Sequence, residues 1–120
     1  MPVRAIRGAI TVENNDAADM IDGTRLLLSR MVEENKIDKE DIISVIFSVT
    51  QDLNAAFPAG AARQMGWTDI ALMCTHEISV PGSLEKCIRI MMHINSEKRN
   101  AELRHVYLGG AKILRPDIAG

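Results

Sequence analysis

Apolar and polar residues alternate with period two from Val3 to Val12, setting Ile6, Ile10 and Val12 on one side of a strand and Arg7 on the other. The period then lengthens. ENNDAAD offers capping side chains, and Met20, Ile21, Thr24, Leu27, Leu28, Met31 and Val32 recur at helical spacing before a polar stop at Asn35 and Lys36. DIISVIFSVT, residues 41–50, is β-branched and apolar on both parities, which predicts a strand covered on both faces. FPAGAARQMGW places Pro58 in the first turn of a short helix and Gly66 just past its end. DIALMCT predicts a third strand and residues 84–94 a fourth. LRHVYLGGAKILRP predicts one or two final strands around a Gly109-Gly110 turn.

The expected order is β-α-β-α-β-β-β, an α/β chain of the α+β type with a mixed five-stranded sheet and both helices on one face. No repeat or low-complexity linker divides it, so residues 1–120 are expected to form one domain. The fourth strand is apolar on both sides: Ile88, Ile90, Met92 and Ile94 on one, Cys87 and Met91 flanking Arg89 on the other. With no helix left for that second side, another copy of the chain is its expected cover.

Composition narrows the class. The chain is 47% hydrophobic and 25% charged with a formal charge of -2, ordinary values for a globular protein and no footprint for nucleic acid. One Trp, one Tyr and two Phe provide no base-stacking platform. No segment approaches the roughly 18 apolar residues of a membrane span, and MPVRAIRGAI enters a strand pattern rather than a signal h-region. A cytoplasmic protein without membrane contact is expected, its Cys74 and Cys87 being free thiols.

Candidate chemistry centres on Arg89, since a guanidinium cannot shed its proton and its burial costs several kcal/mol unless anions compensate it. Arg7, Arg63, Glu77, Tyr107 and Arg115 also interrupt apolar context. Four arginines and one carboxylate favour an anionic ligand, because the planar fork matches carboxylate or phosphate. A structural pairing of Arg89 with Glu77 is an equally direct reading. There is no glycine-rich phosphate loop, G-x-S-x-G elbow or H-E-x-x-H helix. Cys74, His76, Cys87 and His93 follow no zinc spacing, so no metal is expected.

RAIRGAITVE, SVTQDLNAAFPAGAAR, GW at 66–67, CTHEISVPGSLEKCIRIMMHI and RHVYLGGAKILRPD occur in this order, and together resemble the AroH-type chorismate mutases over Val3 to Asp117. The resemblance implies a homotrimer forming a pseudo-α/β barrel, with sites between subunits and no cofactor, converting chorismate to prephenate. It implies catalytic roles for Arg89, Glu77 and Arg7, and substrate contacts from Tyr107, Arg63, Arg115, Phe57, Ala59, Met73, Cys74, Thr75 and Leu114. Where such enzymes place a basic residue after FPA, this chain has Gly60, and its tail stops at Gly120. An intramolecular Claisen rearrangement requires no nucleophile, metal or proton shuttle, which accords with the missing motifs. Two other readings stay open: a trimeric imine or enamine hydrolase, and a non-catalytic carboxylate sensor.

Overall fold

The computed structural model describes residues 1–114. Arg115 and the expected tail contributions lie outside the described residues. Five strands, β1 (Val3–Thr11), β2 (Ile42–Val49), β3 (Ala71–His76), β4 (Cys87–Asn95) and β5 (Val106–Leu108), form one mixed sheet in the order β3-β2-β4-β1-β5. Helix α1 (Ala17–Asn35) follows β1 and helix α2 (Ala59–Gln64) follows β2. β4 is antiparallel to both β1 and β2, so β1-α1-β2 is a split crossover with β4 between its strands.

Local chemistry sets the element ends. Asp16, extended at φ -146°, accepts from the Ala18 N–H at 3.0 Å and starts α1. Lys36, left-handed at φ 51°, ends it. Pro58 enters α2 at φ -56° and Gly66 leaves it at φ 85°.

Both helices cover one face of the sheet. Ile6, Ile10, Val45, Phe47, Val49, Ile88, Ile90, Met92 and Ile94 point to that face and join Met20, Leu27, Leu28 and Met31 in the core. Truncating a fully buried side chain such as Phe47 or Leu27 to Ala costs about 2–5 kcal/mol in cores of this kind. Among the described residues no α-helix covers the other face. A small second cluster of Ala9, Cys87, Tyr107 and Ala111 caps only one end of it.

Two expectations are corrected. The two-sided apolar pattern of β2 arises from a register shift between Ile42 and Ser44, which turns both Ile42 and Val45 to the core and leaves Ile43 exposed. β4 begins at Cys87 rather than at residue 84, because Lys86 at φ 48° breaks the extended run. Of the one or two final strands expected, one, β5, forms after β4 among the described residues. Gly109 turns the chain at φ 58°, Gly110 donates its N–H to Thr11 Oγ1 at 2.8 Å, and Gly109–Leu114 winds as a 3-10 helix that buries Ala111.

Candidate active site

Strand register assembles the site. Thr75, Ser48, Arg89, Ala9 and Tyr107 stand at paired positions straight across β3, β2, β4, β1 and β5. Each alternates with core-facing neighbours, so the row lies on the open face. Arg89 and Tyr107 are two strand spacings apart, roughly 10 Å, with the small Ala9 between them. Arg7 precedes Ala9 by two residues and shares its side. Arg7, Ala9, Ser48, Arg89 and Tyr107 border a concavity of about 250 Å³ that also includes Glu77, Ile46 and Met91.

Glu77 enters from the end of β3. Its N–H donates to the Val49 carbonyl at 2.8 Å, and its own carbonyl accepts from Gln51 Nε2 at 3.0 Å, fixing the backbone beside β2. One carboxylate oxygen meets Arg89 Nε at 2.8 Å, and the other accepts from the Ser48 hydroxyl. The structural pairing of Arg89 with Glu77 is therefore present. Two guanidiniums facing one carboxylate still leave the concavity positive, a basin for an anion.

Supports beneath the charged residues are specific. Asn35, buried at the end of α1, donates to the carbonyls of Met31 and Arg104 and accepts from the Arg104 N–H at 2.8 Å, tying the approach to β5 onto α1. His105 Nδ1 accepts from the Arg7 N–H at 2.9 Å. Asp52 accepts from the Lys86 N–H at 3.0 Å and from the Thr50 hydroxyl, while Thr50 Oγ1 accepts from Cys87 N–H at 3.0 Å. This clamp sets the start of β4, two residues before Arg89. Partial burial pushes the Asp52 carboxyl upward, but its hydrogen bonds with Thr50 and Lys86 and the lysine charge outweigh that and hold it below its ordinary value. Burial raises the Cys87 thiol, with Arg89 only partly opposing, so Cys87 remains a neutral wall.

The remaining expected site residues fall elsewhere in the single chain. Phe57, Cys74 and Thr75 border a second concavity of about 430 Å³, beside Ala56, Pro58 and His76. Phe57 is 73% exposed and Met73, on the open face of edge strand β3, is 62% exposed. Arg63 is exposed on α2 and lines neither concavity. Ala59 is packed in the main core, and Leu114 lies against the Ala9–Tyr107 cluster. A Cβ at Gly60 would stand 3.2 Å from Ile21 Cδ1, so a longer side chain there requires Ile21 to give way. Among the described residues no group of three His, Cys, Asp or Glu side chains could hold a metal ion. No described helix is long and apolar enough to cross a membrane.

Ser48 and Asn35 were absent from the sequence candidates. A serine amid the apolar run VIFSV was the available signal for the first. Nothing local marks the second, whose partner lies 69 residues away.

A family model described as chorismate mutase type I matches residues 3–118. The chain is 41% identical over 120 residues to the chorismate mutase AroH of Bacillus subtilis (strain 168), an alignment covering 99% of this chain and 94% of that protein. It is 47% identical over 117 residues to the chorismate mutase AroH of Thermus thermophilus, covering 97% and 96% respectively. A solved chorismate mutase from Clostridium thermocellum superposes with a TM-score of 0.91 at 59% identity, over 92% of this chain and 98% of that one.

Proposed function

The chain belongs to the chorismate mutase type I family, and from that premise we propose that it rearranges chorismate to prephenate at the positive concavity around Arg89. The reaction breaks an ether carbon–oxygen bond and forms a carbon–carbon bond within one molecule. Electrons move around a ring of six atoms and no proton leaves. A protein accelerates such a step by holding the compact reactive conformer and by placing charges where the transition state is polarised.

The observation that carries this reading is the placement of one guanidinium, Arg89, beside the carboxylate of Glu77 on an otherwise uncommitted sheet face. The ether oxygen gains negative character as its bond lengthens, and Arg89 donates to it. Glu77 accepts from the ring hydroxyl, and its charge favours the electron-poor ring. Arg7 takes the enolpyruvyl carboxylate, assisted by the Tyr107 hydroxyl. Arg63 and Arg115 capture the dianion at the mouth, while Phe57, Met73, Cys74 and Leu114 supply apolar walls, with Ala59 and Thr75 completing the pocket margin.

One chain supplies too little wall for that chemistry. The charged concavity is smaller than the roughly 300–1,000 Å³ of small-molecule sites, and the Arg89 side chain is 45% exposed, where water screens its charge. The open face also presents Ile46, Met73 and Met91, and Phe57, Ile78 and Val80 are exposed at the same end of β3. A homotrimer, with the Phe57 side of one copy closing the Arg89 side of the next, accounts for both features. Such a ring of sheets enclosed by helices is a pseudo-α/β barrel.

The test is incubation of the purified protein with chorismate, following its ultraviolet absorbance and identifying the product. Prephenate is the expected product, and unchanged chorismate from folded protein contradicts the reading. Light scattering should give the mass of three chains, and a monomer mass at micromolar concentration excludes the shared site.

A further inference from the structure

We propose that Ser48 is a positioning residue, which divides the Glu77 carboxylate so that Arg89 stays available to the reacting ether oxygen. The inference rests on the roles assigned above to Arg89 and Glu77. Its basis is a three-residue relay across neighbouring strands. Ser48 is paired with Arg89 across β2 and β4, and with Thr75 across β2 and β3. Its hydroxyl therefore rises from the sheet between the guanidinium and the chain segment that delivers Glu77. The serine donates to Oε2 while Arg89 Nε meets Oε1.

The alternative arrangement explains why the division matters. A carboxylate and a guanidinium left to themselves settle into a bidentate pair, two parallel N–H···O bonds. In that form Glu77 would occupy a second nitrogen of Arg89, neutralise it, and turn its own acceptor positions from the ring hydroxyl. Ser48 occupies Oε2 and holds the carboxylate to a single guanidinium contact. The backbone bonds of Glu77 to Val49 and Gln51 fix the residue's distance, so the hydroxyl has only to set the rotation of the carboxylate. Serine is suited to this position because its side chain is short, half-buried and a donor.

The experiment combines kinetics with a crystal structure, using Ser48→Ala and Ser48→Thr in the full chain. Ser48→Ala should lower kcat at least about tenfold with KM within roughly twofold, because the lost alignment acts in the transition state. Ser48→Thr, which keeps the hydroxyl, should recover most of that loss. The crystal structure of unliganded Ser48→Ala should show Glu77 rotated into two-point contact with Arg89. Unchanged kcat in Ser48→Ala, or an equal loss in Ser48→Thr, overturns the proposal. So does a Glu77 carboxylate that keeps its orientation in the alanine variant. The structural readout needs no turnover, so it decides the role of Ser48 even if the unmodified protein leaves chorismate unchanged, the result that would instead overturn the proposed function.

Discussion

Arg89 Nε lies 2.8 Å from Glu77 Oε1, although β2 separates the strands that deliver them. This contact compensates a charge that would otherwise repel Arg7. Under the proposed function it also holds a donor for the ether oxygen and an acceptor for the ring hydroxyl side by side. A purely structural ion pair would gain little at this exposure, since half-exposed pairs are screened by water.

Capture and chemistry should separate by residue. Arg63 lines neither concavity in the single chain, and its proposed place is the mouth of the shared site. Arg63→Ala, and likewise Arg115→Ala, should raise KM more than they lower kcat, as expected for binding energy shared by ground and transition states. Steady-state kinetics checks this, and a turnover loss in Arg63→Ala equal to that in Arg89→Ala contradicts the division.

The two thiols should differ in reactivity. Cys87 is fully buried with its ionisation pushed upward, whereas Cys74 is partly exposed. At pH 8 an alkylating reagent should label Cys74 and reach Cys87 only after unfolding, as mass spectrometry of timed samples would show. Cys74→Ser should keep its activity, because the rearrangement uses no nucleophile. Complete inactivation would reopen covalent chemistry.

Asn35 joins stability to the site. Asn35→Ala removes a buried amide and leaves the part-buried Arg104 N–H and carbonyl without their side-chain partner, at a cost of about 1–3 kcal/mol. Thermal unfolding should shift down by several degrees. Catalytic efficiency should fall as well, because the Arg104 tie positions β5 and with it Tyr107.

The Asp52 clamp predicts a pH signature. Its folded-state ionisation is depressed, so the carboxylate stabilises the fold above its ordinary value near 3.8, and this contribution is lost as pH falls through the lower folded value. Asp52→Asn should therefore unfold at lower temperature than the unmodified protein at pH 7, with the difference shrinking below about pH 4. A difference that persists or grows in acid would contradict the assignment.

Much of this architecture could be read along the chain because its periods are strong. The helix from Ala17 to Asn35 and the core parity of Ile88, Ile90, Met92 and Ile94 follow from spacing alone. The misread segments depend on partners far away in sequence. Gly109-Gly110 looks like a hairpin turn until Thr11, 99 residues from Gly110, receives its N–H. The chemistry-bearing residues Arg7, Glu77, Arg89 and Tyr107 stood out as polar interruptions of apolar runs, and the sheet brings them together. Ser48 gains meaning only from a register no local pattern specifies.

The central claim is that the positive charge of Arg89, beyond its hydrogen bond, stabilises the developing ether oxygenate. The most direct test replaces Arg89 with citrulline, neutral and nearly isosteric, by semisynthesis through a ligation at Cys87. Citrulline keeps N–H donors, so the fall in chorismate turnover reads the charge, and it is expected to reach about 10²- to 10³-fold, the scale of losing a whole preorganised electrostatic contact. Near-normal turnover by a correctly folded citrulline protein would show that the charge is not what the site uses.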